Sequence, residues 1–179
     1  FIDPGQFDVF IPGPTDIGEQ PYTSGSTGRP KGVLLHHKGQ RWMIEQLIRS
    51  RELTEQDCGV ISAPLYHKNA LLAVKSALGA GGRVVLLARF DAQQYIRCIE
   101  RYRLTMLTGV PTMYALMLQQ EALLAKTDVS SVRAISMGSA PASEVLLDNV
   151  QTAFPQAQIR LNYGITEGGP VLLAWNHPE

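Results

Sequence analysis

No surplus of either charge sign runs through these 179 residues: sixteen basic side chains face sixteen acidic ones, for a formal net charge of zero. A chain without a basic field has nothing to draw it onto nucleic acid or an anionic membrane surface, so neither is expected as a partner. Cysteine is scarce. Cys58 and Cys98 are the only two, too few to staple a chain of this size, and free buried thiols in a reducing, cytoplasmic setting fit better. No apolar run reaches the roughly 18 residues of a membrane span, and no signal-peptide pattern opens the chain. Phe1 stands where a methionine would begin a complete protein, so a piece of a longer chain is expected. The length suits one domain with a sizeable core.

What the chain does carry is Tyr22-Thr-Ser-Gly-Ser-Thr-Gly-Arg-Pro-Lys-Gly32. Thr23, Ser24, Ser26 and Thr27 bring hydroxyls; Gly25, Gly28 and Gly32 let the backbone turn tightly and approach an anion without a Cβ in the way. Backbone N–H groups, hydroxyls and Lys31 could together surround a polyphosphate. A Walker A loop is excluded, because Pro30 falls where its second glycine belongs and Gly32 replaces its magnesium-binding hydroxyl. Taken alone, the same composition also suits a flexible linker.

The opening segment to Pro21 is dense in proline and glycine and reads as extended or turning chain, with a short strand near Phe7–Ile11. Val33–Leu35 reads as a strand and Lys38–Leu53 as an amphipathic helix. A regular rhythm follows. Strands are expected at Val60–Ala63, Arg83–Leu87, Leu104–Leu107, Val132–Met137 and Gln158–Asn162. Helices are expected at Leu71–Leu78, from the Asp91 cap to Arg103, from Pro111 to about Lys126, and at Pro141–Phe154. Short apolar strands alternating with helices define an α/β fold with a mostly parallel sheet. Ligands of such sheets sit beyond the strands' C-terminal ends. His67, Thr108–Pro111, Gly138–Pro141 and Tyr163–Glu167 each follow a strand and should meet on one edge.

A second string, Asn162-Tyr-Gly-Ile-Thr-Glu-Gly-Gly169, stands well downstream of the first. The pair resembles the adenylate-forming (AMP-binding) superfamily of acyl-CoA synthetases, peptide-synthetase adenylation domains and luciferase-type enzymes. Both of its signatures occur here in the family's order, without a mismatch at defining positions. The resemblance implies that residues 1–179 are the middle of the large N-terminal adenylation domain, with an upstream subdomain and a C-terminal lid domain outside the sequence. It also implies ATP, Mg2+ and coenzyme A as reactants, with a small-molecule carboxylic acid.

The resemblance assigns roles to matching positions. Thr23, Ser24, Gly25, Ser26, Thr27 and Gly28 would hold the β- and γ-phosphates, with Lys31 adding a point charge. Tyr163, flanked by Asn162 and Gly164, would cover the adenine ring. Thr166 would contact the α-phosphate and Glu167 would bind magnesium. Gly138, Ser139, Ala140 and Pro141 resemble the small-residue turn beside adenine and the acyl group, though Ser-Ala-Pro also simply starts a helix. Pro64-Leu-Tyr-His67 resembles the synthetases' histidine motif, with His67 beside the carboxylate; a strand-end histidine without chemistry is the competing reading.

Peptide-synthetase domains usually carry Phe-Asp near Tyr66-His67, and here Lys68 follows the histidine with no acid beside it. That favours a fatty or other organic acid over an amino acid, with Leu71, Leu72 and Val74 as candidates for an apolar acyl wall. An amino-acid-activating domain and a non-catalytic fragment remain the alternatives. The family's later ribose-binding aspartate and catalytic lysine lie outside the sequence, so low turnover is expected of this piece alone. Neither His36–His37 nor the cysteines have zinc-site spacing.

Overall fold

Punctuated by proline and glycine, the first part of the chain yields only short strands in the computed structural model, which describes residues 9–24 and 28–177. They are β1 (Ile17–Glu19), β2 (Tyr22–Ser24), β3 (Pro30–Gly32) and β4 (Leu35–His36), followed by α1 (His37–Ser50). β1 pairs with β4 and β2 with β3, both antiparallel. Two expectations change here. Val9–Ile11 form no strand, while Phe7 and Asp8 lie outside the described residues. The expected Val33–Leu35 strand is split, because the Val33 N–H donates to the Pro21 carbonyl at 2.8 Å, between the β3 and β4 pairings.

The regular rhythm then appears as β5 (Cys58–Ile61), α2 (Lys68–Gly79), β6 (Arg83–Leu86), α3 (Ala92–Tyr102) and β7 (Met106–Gly109). It continues as α4 (Pro111–Leu118), α5 (Glu121–Leu124), β8 (Ala134–Gly138), α6 (Glu144–Ala153), β9 (Gln158–Ile165) and β10 (Gly169–His177). One six-stranded sheet results, in the order β10-β9-β8-β7-β5-β6. All pairs are parallel except β10 with β9. The expected mostly parallel α/β architecture is what forms.

Strand periodicity divides the sheet into two faces. Val60, Leu107, Ile135, Met137 and Ile159 are sealed against α3, α4 and α6, where Tyr95, Ile96, Tyr114, Val150 and Phe154 are also buried. Removing such large apolar side chains from water stabilises by about 1.5–3 kcal/mol each. α1 and α2 pack on each other, and α2 covers β5 and β6.

Most of the other elements shift from their expected bounds by one to three residues, and three differences have a cause in the hydrogen bonding. The expected helix from Pro111 to about Lys126 breaks after Leu118. The Gln120 carbonyl accepts from the N–H groups of Leu123 and Leu124 and starts α5, turning both leucines onto the core. α6 begins at Glu144 rather than Pro141, because the Ser143 hydroxyl accepts from the Leu146 N–H at 3.3 Å as its cap. β9 runs past Asn162 to Ile165 because β10, a strand with no counterpart among the expected elements, pairs along it.

Candidate functional site

β5, β7, β8 and β9 are adjacent and parallel, so their C-terminal ends share one edge. At about 4.8 Å per strand, the segments following β5 and β9 are about 14 Å apart, a span one nucleotide could bridge. Direct contact joins two of them: Asn69, in the first turn of α2, donates from Nδ2 to the Ser139 hydroxyl at 2.7 Å. Strand ends beneath are fixed, since the Thr108 hydroxyl donates to the Val60 carbonyl at 2.8 Å and Tyr95 donates to the Thr108 carbonyl at 2.9 Å.

Gly138 ends β8 where a Cβ would stand 3.0 Å from the Asn162 carbonyl oxygen, so any larger residue would have to push β9 back by a few tenths of an ångström. Ser139 follows at φ +66°, in the left-handed region that side chains other than glycine avoid. Ala140 and Pro141 are exposed beside it. His67 is exposed at the N-cap position of α2, where its side chain makes no capping bond, and its ring centroid lies 4.6 Å from that of Tyr66.

The register between β8 and β9 ends at Gly138 opposite Asn162. Tyr163, Gly164 and Ile165 therefore continue past the end of β8, supported by β10 through Leu173 opposite Tyr163 and Gly169 opposite Ile165. Tyr163 is 56 % exposed. Thr166 and Glu167 occupy the β9–β10 turn, the threonine half-buried and the glutamate exposed. Asn162 differs from its neighbours. Its Nδ2 donates to the Ser136 hydroxyl at 2.8 Å and the Met137 carbonyl at 3.0 Å, and its Oδ1 accepts from Arg51 at 3.2 Å. That side chain is committed to the sheet and α1.

The two ends of the glycine-rich segment pair as β2 and β3, with Thr23 opposite Lys31 and Ser24 opposite Pro30. Directly opposed residues share a face, so the Thr23 hydroxyl and the exposed Lys31 ammonium stand together. Gly28 has φ +77° with open space where a Cβ would go. Gly25, Ser26 and Thr27 lie outside the described residues, as does the Ser24 side chain.

Lys68 was notable in the sequence only as a non-acid after His67. It is buried, and its Nζ donates to both Glu19 and Gln40, while Lys75 also pairs with Glu19. Burial lowers the Lys68 pKa to about 8. The cluster pins the first turn of α2 to β1 and α1, and so fixes the residue before it, His67. A lysine and an asparagine opening a helix whose next five residues are apolar were the available signal for Lys68 and Asn69. Leu72 is a core residue at 2 % exposure rather than an acyl wall, with Leu71 and Val74 half-buried beside it.

Glu167 offers a divalent cation an exposed carboxylate at this edge. Among the described residues no group of three or more His, Cys, Asp or Glu is placed to hold a metal. One carboxylate plus phosphate oxygens and water is a donor set that suits magnesium. Cys58 and Cys98 are free and buried, and burial raises both thiol pKa values. No helix among the described residues is long and apolar enough to cross a membrane.

Residues 6–179 of this α/β chain match the family model described as AMP-binding enzyme, and the chain belongs to that family. It is 34% identical over 164 residues to 4-coumarate–CoA ligase 2 of Nicotiana tabacum, covering 89% of this chain and 30% of the relative. Apo MatB from Rhodopseudomonas palustris superposes with a TM-score of 0.86 at 27% identity, covering 97% of this chain and 34% of that one. O-succinylbenzoate coenzyme A synthetase from Bacillus subtilis, solved with ATP and magnesium ion, superposes at 0.75 with 31% identity, covering 88% and 32%. The chain thus spans about 30% of the length of the curated relatives it matches.

Proposed function

We propose that the protein containing this chain activates a small organic acid with ATP and passes the acyl group to coenzyme A. Residues 1–179 form the nucleotide-facing part of its adenylation domain, with an upstream subdomain and a C-terminal lid completing it. An oxygen of the substrate carboxylate attacks the α-phosphorus, the bond to the bridging oxygen breaks, and pyrophosphate leaves. The thiol of coenzyme A then attacks the acyl carbon, and AMP leaves with the electron pair of the mixed-anhydride bond.

Nucleophile and target are both anionic, so charge must be neutralised and alignment held. Thr23 and Lys31, opposed on β2 and β3, would hold the β- and γ-phosphates with the glycine loop. Tyr163 would cover adenine and Thr166 would reach the α-phosphate. Glu167 would hold magnesium, whose positive charge would offset developing phosphate charge when bound. His67, exposed at the head of α2, would stand by the acid. The projection of Tyr163–Ile165 past the end of β8 carries this reading, because it places an exposed aromatic and the Thr166–Glu167 turn beyond the strand ends.

An amino-acid substrate would need a carboxylate for its ammonium near Tyr66–Lys68. Glu19 is the acid at Lys68, and two lysines already hold it. The 4-coumarate–CoA ligases among the relatives favour organic acids over long fatty chains. ATP–pyrophosphate exchange by the longest natural form, run over organic, fatty and amino acids, tests the proposal. Exchange with organic acids is expected; exchange with amino acids alone, or with none, overturns it.

A further inference from the structure

On the α1 side of the sheet, beneath its β9–β10 margin, lies a cleft of about 250 Å³ lined by Ser50, Arg51, Arg160, Asn162, Ala174 and Asn176. Arg160, Asn162, Ala174 and Asn176 face it from the strands, because alternate residues of paired strands share a face. Arg51 and Ser50 close it from the end of α1. Two guanidiniums thus line one small concavity. Arg160 donates to the Ser50 carbonyl at 2.8 Å and the Gln158 side chain at 3.0 Å, and Arg51 donates to Asn162 at 3.2 Å.

Neither arginine forms an ion pair with a carboxylate among the described residues. Among the described residues the pair therefore holds positive charge without a paired carboxylate in a partly enclosed site, where electrostatic attraction is much stronger than in water. Burial first, and the charge of Arg160 second, pull the Arg51 pKa down to about 10. An anion entering the cleft would reverse that penalty. Planar guanidiniums match carboxylate geometry through paired N–H donors.

The position is as telling as the charge. Asn162, the cleft's upper wall, is the residue before Tyr163 and the register partner of Gly138. Asn162 thus ties the cleft to the strand end, and from there the cleft runs towards the end of α1 along the sheet face opposite the sealed core.

We propose that the Arg51–Arg160 cleft receives a second carboxylate at the far end of the acid, so that the preferred substrates are dicarboxylic acids. This rests on the acid-activation reading and sharpens it, replacing the apolar acyl wall expected from Leu71, Leu72 and Val74 with a cationic one.

Calorimetric titration of the chain with adipate and hexanoate, without nucleotide, tests it. Adipate should bind about tenfold tighter than hexanoate, and Arg160→Gln should erase the difference. Arg160→Gln also removes a bond to α1 and could unfold that corner, so Ala174→Glu serves as a second variant. It leaves both arginines in place and offers them a carboxylate of the protein's own, and it should abolish the preference for adipate. Equal binding of the two acids, or a preference that survives Ala174→Glu, overturns the inference. ATP–pyrophosphate exchange by the longest natural form separates the two levels. Exchange confined to monocarboxylic acids keeps activation and overturns the cationic cleft. Adipate-selective binding without exchange keeps the anion cleft and overturns activation, and with it the substrate assignment.

Discussion

Glu52 and Ser139 both sit at positive φ, +50° and +66°, and the two positions call for different explanations. Ser139 lies on the ligand edge and its hydroxyl accepts from Asn69, which is where strained backbone is commonly retained for function. Glu52 follows α1, away from that edge; its N–H donates to the Arg49 carbonyl at 3.2 Å, its carbonyl accepts from Arg133 at 3.1 Å, and its carboxylate adds a modest attraction to Arg133. A glycine keeps that carbonyl and adopts the conformation freely. Glu52→Gly should therefore raise stability by about 0.5–1 kcal/mol, read as a melting temperature higher by about 2–4 °C. A lower melting temperature would mean the side chain matters.

Asp57 is the other residue with a measurable signature. It is 3 % exposed, and Arg133 donates to its carboxylate at 2.7 and 2.8 Å, the Thr105 hydroxyl at 2.6 Å and the Thr54 N–H at 2.9 Å. Burial pushes its pKa up, but those bonds, Arg133 foremost, outweigh burial and hold it at about 2. A depressed folded pKa favours the native state wherever the carboxylate is ionised in both states. This contribution is complete above about pH 4 and is lost as pH falls towards 2. Asp57→Ala should cost about 2 kcal/mol at pH 7, by loss of charged, buried bonds. The cost should shrink below pH 4, which denaturation at both pH values would show. A cost independent of pH would contradict the assignment.

Among the elements, α3 shows how local sequence dictates structure. The Asp91 carboxylate accepts from the Gln94 N–H at 2.8 Å, and Tyr95, Ile96 and Ile99 are fully buried at helical spacing. Asp91→Ala should cost about 1 kcal/mol in urea unfolding with an unchanged m-value, as the first turn loses its cap. Cap and core stripe are both legible in the sequence, and α3 forms as expected. β10 was not legible, because Gly168-Gly-Pro170 reads as a turn and its partner is defined only once β9 exists. The split between α4 and α5 was hidden similarly, since Gln119 and Gln120 are ordinary helix residues and only packing of Leu123 and Leu124 redirects the chain.

At the scale of the whole molecule, the order β9-β8-β7-β5 gathers the segments after those strands onto one edge, as βα rhythm alone led one to expect. Signature strings marked Lys31, Tyr163 and Glu167. The residues that brace the edge from behind went unseen because their partners are remote in sequence: Lys68 reaches Glu19, and Arg51 reaches Asn162. Pairings across such separations follow from topology, which no local pattern encodes.

If the glycine-rich segment and the β9–β10 turn grip one triphosphate, their charged residues must act as a unit. ATP–pyrophosphate exchange should be measured in the longest natural form for Lys31→Ala, Glu167→Ala and the double variant. Each single change should lower exchange by about 10²-fold or more, with the double variant scarcely lower than either single one. Wild-type rates in the single variants, or a double loss equal to the product of the two, would contradict a shared nucleotide site.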